Sequence, residues 1–410
     1  MRKILWVCNT MLPEIFKRFG TYSVKEGWLI GISNELRKQK NIQLHYMCPQ
    51  GKDERIVNIT KQGIYFHCFY ARYDDSYTLE ESVRLQIEEI IKKIQPDIIH
   101  IFGTELPHAL ACVNYFEKKE KIIISIQGMV SEYAKFYLNG LPFRTYFVGG
   151  ICGGKYQTIY SQYREFCKCA NNEIRAIKGA GNVIGRTEWD RACVKKINSH
   201  CRYFYCSETL RNSFYDKEWD VNNCRRHTIF ISQGNYPVKG LHNFLEALPD
   251  VINKYTDTKV YIAGNNTFLR DGSPYGVYIR SILVKKKLEP YIFFLGPIKE
   301  DKMCEELLKA HVTVMPSNIE NSPNSIGEAM LVGTPVIASF VGGVPSILKH
   351  ETEGILYQPN SLNMLSYYIC KIFEDDKLAS SISLNERKRA QELYDKNNNL
   401  QQLLNIYNCI

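Results

Sequence analysis

The sequence predicts an α/β fold in two domains, each built on a parallel β-sheet. Three observations carry that reading. Residues 311–347 run as a β-branched strand (Val312–Met315), a polar loop (Ser317–Asn321), an amphipathic helix (Ile326–Val332) closed by Gly333, and a second apolar strand (Pro335–Ala338). Strand, helix and strand in that order make a parallel βαβ unit. Residues 96–128 repeat the order, with strands at Pro96–Phe102 and Ile122–Ile126 around a helix at Leu106–Lys118. A chain of 410 residues also exceeds one ordinary core and divides into two.

Taken in order, Ile4–Cys8 is a first buried strand. A long loop with Pro13, Gly20 and Gly27 follows, then a helix at Trp28–Leu36. Ile42–Cys48 and Ile64–Phe69 are strands, and Leu85–Ile94 has the apolar spacing of a surface helix. His100 lies inside the Pro96–Phe102 strand, where a hydrogen-bonded core histidine is the expected role. Val130–Lys178 combines two patterns. Tyr156, Ile159, Tyr160, Tyr163, Phe166, Ala170, Ile174 and Ile177 form a stripe at helical spacing, which predicts a core-facing helix with a solvated basic face. The stretch ahead of it, with Lys135, Phe136, Phe143, Arg144 and Phe147, mixes aromatic and basic residues. Contact with a membrane interface or a lipid-linked acceptor is the alternative there. Asn182–Ile184 is a strand, and Thr187 and Asp190 have capping-box spacing at the next helix. Arg186 either binds an anion or pairs with Glu188. Arg202–Ser207 is the last strand of the first domain, and the polar run Phe214–His227 is expected to be a linker.

The second domain opens on Thr228–Ser232, whose Gly/Pro loop carries Asn235 and Lys239 ahead of Gly240. An ammonium group there either neutralises a departing diphosphate or is an exposed loop cation. Lys259–Ala263 is a strand ending at Gly264, Tyr275–Lys286 a helix, and Ile292–Leu295 a strand running into Gly296-Pro297-Ile298. Glu300–Lys309, a helix, leads into residues 311–347. There the helix after the first strand turns free N–H groups toward the strand ends, where ligands of parallel sheets collect. Glu320 and Glu328 flank that place, and a carboxylate accepts hydrogen bonds from sugar or ribose hydroxyls. Two structural alternatives stand beside this. With Ser325 as N-cap, Glu328 completes a capping box; with Ser322 as cap and Pro323 first in the helix, it lies too deep to do so. Glu320 reads equally as a solvated loop acid.

Composition is that of a globular protein, 45% hydrophobic and 23% charged. The excess of 52 basic over 43 acidic residues suits phosphate-bearing substrates or an anionic membrane surface without requiring nucleic acid. Fourteen cysteines are scattered. Cys167-Lys-Cys169 and Cys201 with Cys206 lack the partners of a zinc site, so buried thiols in a reducing compartment are expected and a metal is not. The basic, apolar start Met1–Cys8 lacks a small-residue cleavage site, and no apolar run is long enough to span a bilayer. The expected location is the cytoplasm, with contact at the inner face of the membrane as the alternative noted above.

The Glu320–Glu328 pair, the following Gly-Thr-Pro-Val-Ile-Ala-Ser and Gly342-Gly343-Val-Pro resemble glycosyltransferase family 4, the group 1 transferases, of a bacterial polysaccharide-synthesis type. The resemblance is tightest over Ile229–Gln358. It implies the GT-B fold: two Rossmann-like parallel-sheet domains facing a cleft, with a C-terminal helix crossing back to the first. On that basis residues 1–215 form the acceptor-side domain, 228–376 the donor-binding domain, and 377–410 helices that pack back through Leu403, Leu404 and Ile406. It implies a retaining transfer of sugar from a nucleotide diphosphate-sugar to a hydroxyl acceptor, glycan or lipid-linked, with neither metal nor cofactor. Lys239 and Glu320 are then catalytic, the second by orienting the donor sugar. Glu328 holds ribose, amides at Asn324, Ser325 and Ile326 cradle the diphosphate, and backbone up to Ile298 meets the base. Gln127 stands where the family carries a histidine, and Gly234 where it carries an arginine. Arg186 or Arg270 is a substitute for that arginine. Asn235 and Gly264 complete the expected donor contacts. Two other readings remain: a GT-B nucleotide-sugar epimerase, and a non-catalytic nucleotide-sugar-binding subunit.

Overall fold

The computed structural model describes residues 1–19, 27–52, 55–71, 77–152, 154–264, 269 and 272–410. Its strands, in chain order, are β1 (Arg2–Cys8), β2 (Ile42–Gln50), β3 (Val57–Lys61), β4 (Ile64–Tyr70), β5 (Ile98–Phe102), β6 (Ile122–Ser125), β7 (Gly149–Cys152), β8 (Lys155–Thr158), β9 (Asn182–Gly185), β10 (Arg202–Tyr205), β11 (Thr228–Ile231), β12 (Lys259–Ala263), β13 (Ile292–Gly296), β14 (Val312–Met315), β15 (Val336–Ser339) and β16 (Ile355–Tyr357). The chain forms two units: residues 1–134, 165–209 and 395–410, and residues 135–164 and 210–394.

The first unit is a sheet in the order β10-β9-β6-β5-β1-β2-β4-β3, parallel except for β3. Its central strands are apolar without alternation because both faces are covered. Leu5 and Val7 of β1 join one core with Ile99, Ile101, Ile122 and Ile124 under the helices Glu81–Ile94 and Pro107–Tyr115. Ile4, Trp6 and Cys8 face the other way, into a core closed by Leu29, Leu36, Leu403, Ile406 and Tyr407. The last three belong to the terminal helix Lys396–Cys409, which therefore packs on the first sheet. The edge strand β3, absent from the sequence reading, pairs antiparallel with β4.

The second unit is a wholly parallel sheet in the order β13-β12-β11-β14-β15-β16. The chain enters at β11, runs outward to β13 and returns to β14 on the other side of β11. The gap between the loops after β11 and β14 is thus the switch point at which such sheets bind ligands.

Four sequence expectations are corrected. Residues 135–164 belong to the second unit, not the first. The cause is the β7–β8 hairpin: the Ile151 amide donates to the Gly272 carbonyl at 3.0 Å. Gly150 comes so near that a Cβ there would lie 2.0 Å from that oxygen. Tyr156 lies in β8 rather than in the helix, which starts at Ile159. The run 214–227 is no solvated linker: Phe214 is buried, and buried Trp219 donates its indole N–H to the Ala310 carbonyl at 2.7 Å. Residues 376–393 form a helix in the second unit, packed on the helix Asn324–Val332. Only the helix after it packs on the first sheet.

Candidate active site

The site of the second unit is assembled by two loops that touch through backbone. Pro237–Lys239 is a single 3-10 turn, ended by Gly240 at φ +66°. A Cβ on Gly240 would lie 1.9 Å from the Pro316 carbonyl oxygen, so only glycine lets the loop after β11 close on the loop after β14. The Asn318 amide donates to the Val238 carbonyl at 2.8 Å, and its side chain donates to the Pro237 carbonyl at 3.2 Å. The contact brings Lys239 Nζ to 2.6 Å from Glu320 Oε1, which also accepts from Ser317 Oγ at 3.0 Å. A third segment fixes Glu320: its carbonyl accepts from the Gly343 amide at 3.0 Å, and Gly342, at φ +50°, passes too close to it for any Cβ. The Gly342-Gly343 pair is therefore a backbone clamp on this acid.

Burial opposes charge on Lys239, but Glu320 and the Tyr236 hydroxyl outweigh it and hold the ammonium group above its ordinary pKa. Nζ lies 5.8 Å from the Tyr236 ring centroid. Sequence reasoning missed this tyrosine, although it stands only three residues before Lys239. At Gly234 a Cβ would approach buried Leu241 to 2.9 Å, so any larger residue there must displace a core side chain.

The helix Asn324–Val332 begins beside Glu320 with Pro323 at its N-cap and no side-chain cap. Neither capping arrangement considered for Glu328 is present. Glu328 is buried and takes Arg211 in a two-pronged contact of 2.7 and 2.6 Å. Burial pushes the carboxyl above its usual range, while the same contact keeps Arg211 charged. Each carboxylate oxygen retains a lone pair for a hydroxyl donor. Arg211 escaped the sequence because its partner lies 117 positions along the chain. The Ile326 amide already donates to the Pro323 carbonyl at 3.0 Å, which turns it inward; Asn324 and Ser325 open the helix.

The other expected donor residues follow the strand ends. Asn235, in the loop after β11, accepts from Gln233 at 2.9 Å; Gly264, at φ +95°, ends β12; half-buried Ile298 follows β13. Across the sheet the order is Ile298, Gly264, Asn235 with Lys239, then Glu320, a span of roughly 14 Å at ordinary strand spacing. Arg270 lies outside the described residues.

Gln127 belongs to the first unit, where it lines a pocket with His100, Ser125, Arg186 and Glu208. Arg186 is engaged there, 2.8 Å from Glu208 and donating to the Gln127 carbonyl at 2.9 Å, so it neither pairs with Glu188 nor stands free for an anion. His100 is a core histidine. Its nitrogens meet Ser125 Oγ and the Tyr407 hydroxyl, both at 2.7 Å, and burial lowers its pKa to about 3. At the first unit's own switch point, between β1 and β5, Asn9 donates to Glu105 at 2.6 Å, a pair the sequence did not single out. Among the described residues no group of three or more His, Cys, Asp or Glu is placed to hold a metal ion, and no helix is long and apolar enough to cross a membrane.

The Glycosyl transferases group 1 family model matches residues 215–389, and the Glycosyl transferase 4-like model matches residues 22–144. The second half of the chain thus matches the group 1 glycosyltransferases, and part of the first half matches the 4-like group. An uncharacterised glycosyltransferase of Methanocaldococcus jannaschii is 27% identical over 187 residues, 46% of each chain. Such matches span about half the length of the curated relatives. Among solved structures, sucrose-phosphate synthase of Thermosynechococcus elongatus superposes with a TM-score of 0.69 at 15% identity, covering 100% of this chain and 98% of that one. HepE of Anabaena, solved with UDP-glucose, gives a TM-score of 0.67 at 16% identity, with 100% of both chains covered. The chain thus has the GT-B fold. Its group 1 match contains Lys239, Glu320 and Glu328.

Proposed function

We propose that the protein transfers a sugar from a nucleotide diphosphate donor to a hydroxyl acceptor, with retention of anomeric configuration. The single observation that carries the reading is the Lys239–Glu320 contact at the switch point of the second sheet, beside an uncapped helix start. The bond that breaks joins the anomeric carbon to a phosphate oxygen, and negative charge develops on the departing diphosphate. Lys239 stabilises that charge together with the amides at Asn324 and Ser325. The Tyr236 hydroxyl adds a neutral hydrogen bond on the side where the family's arginine is absent. Glu320 orients hydroxyls of the donor sugar. Glu328, held rigid by Arg211, accepts from ribose, and the base lies toward Ile298. The acceptor is a glycan or a lipid-linked glycan in surface polysaccharide or glycoconjugate synthesis, met from the inner side of a membrane.

UDP-glucose is the first donor to test, since HepE shares the fold and was solved with it. A melting-temperature screen against nucleotides and nucleotide sugars identifies the donor, because a specific ligand stabilises the folded state by mass action. No shift with any nucleotide sugar rejects the proposal. Two rivals separate in an acceptor-free incubation. An epimerase converts the donor sugar without acceptor; a non-catalytic binding subunit shifts the melting temperature and shows neither transfer nor donor hydrolysis when acceptor is added.

A further inference from the structure

Residues 135–164 carry an unusual surface. Of the seventeen large hydrophobic side chains exposed among the described residues, six lie in this stretch. Phe143 and Phe147 are 71% and 61% exposed, with ring centroids 5.5 Å apart. Ile151 and Tyr156, 58% and 73% exposed, face each other across the β7–β8 hairpin. The Tyr156 ring lies over Gly149, where a Cβ would come within 1.8 Å of its hydroxyl, which places it two residues along the chain from exposed Phe147. Every ionisable side chain of ordinary charge in the stretch is cationic: Lys135, Arg144, Lys155 and Arg164, with no Asp or Glu. All four are exposed.

A solvated hairpin has no reason to hold bulky apolar rings in water. An apolar surface studded only with cations matches the interface of a bilayer containing anionic phospholipid: rings enter the acyl boundary and cations meet headgroup phosphates. A second copy of this chain is less well matched, since a twofold contact would set these four cations against their own symmetry mates.

The hairpin is also fastened to the site. The Asn139 carbonyl accepts from Asn318 Nδ2 at 3.0 Å, two residues before Glu320, and from His242 at 3.3 Å, three residues after Lys239. Gly140, at φ +74°, sits against Asn243 so closely that a Cβ would approach its side-chain oxygen to 2.7 Å. We infer that Phe143, Arg144, Phe147, Ile151, Lys155 and Tyr156 form a docking surface for an anionic phospholipid bilayer, which holds the second unit at the membrane where a lipid-borne acceptor lies. The acceptor part of this inference rests on the transferase reading; the lipid part does not.

The test is co-sedimentation of the full chain with vesicles of phosphatidylcholine alone or mixed with phosphatidylglycerol, at low and high salt. Binding is expected only to the mixed vesicles, and weakens with salt over the range set by the screening length. A variant carrying Phe143→Ser, Phe147→Ser and Tyr156→Ser should bind about tenfold less or weaker. Arg144→Glu with Lys155→Glu should bind less while retaining the rings. Both variants should keep the wild-type melting temperature and the wild-type shift with the nucleotide sugar, which shows that they fold. Equal binding to both vesicle types, or unaltered binding by the serine variant, overturns the inference. So does light scattering that shows a wild-type dimer, lost in the serine variant, with no vesicle binding. Vesicle binding without any nucleotide-sugar response would reject the transferase reading and leave the surface standing.

Discussion

Lys239 Nζ and Glu320 Oε1 stand 2.6 Å apart although 81 residues separate them in the chain. The loops that carry them meet because Gly240 puts no Cβ against the Pro316 carbonyl, and Gly342 lets a third segment close on Glu320. Lysine and acid are thereby held as one unit, each limiting where the other can move. Lys239→Ala and Glu320→Ala should each reduce kcat by on the order of a hundredfold or more. Steady-state transfer assays check this. Wild-type rates in both variants would remove the assignment.

Gly240→Ala should act through geometry alone. The added methyl meets the Pro316 carbonyl oxygen, and the residue must keep φ +66°. A loss of about 2 kcal/mol or more is expected, with transfer falling further than stability because the Lys239–Glu320 contact opens. Chemical denaturation beside transfer kinetics separates the two.

Arg211→Met should leave Glu328 buried without its cation. The cost is about 3 kcal/mol, and the melting shift given by the nucleotide should shrink because the carboxylate is no longer oriented. The double variant with Glu328→Gln should regain part of the stability but not the nucleotide response. Calorimetry with and without nucleotide reads both.

Tyr236→Phe tests whether the hydroxyl contributes to the leaving group. A several-fold drop in kcat with little change in KM is expected, the scale of one neutral hydrogen bond. Equal kinetics would confine Tyr236 to supporting Lys239 through its ring.

Stability should fall with acid. His100 is lowered from 6.5 to about 3, and His45, His67 and His311 to about 4, by burial. The folded state then binds fewer protons than the unfolded chain between those values. Stability is complete above pH 6.5 and is lost as pH drops through the window below it. His100 alone accounts for about 2 kcal/mol by about pH 5. Melting temperatures across pH should show the decline, and His100→Gln should flatten it by about one proton.

Much of this architecture was legible because its signals are local. Val312–Met315, the Gly333 stop and Val336–Ser339 betray a βαβ unit within thirty residues; Glu320 and Glu328 lie within it, and Lys239 follows the neighbouring strand β11. What escaped depends on distance. Nothing near Glu328 announces Arg211, and nothing near Arg186 announces Glu208. Tyr156 matched the helical spacing of its successors, yet Gly149, Gly150 and Gly154 favour a hairpin ahead of Ile159. Phe214 and Trp219 lay in a polar run whose charges masked two buried aromatics.

The docking of β7 against Gly272 has a bearing on biosynthesis. The ribosome finishes the hairpin long before it makes Gly272, on which the hairpin docks. At ordinary elongation speeds the wait is about 5–20 s. During that interval Tyr137 and Leu141, buried in the finished fold, are carried on a nascent chain whose landing place does not yet exist.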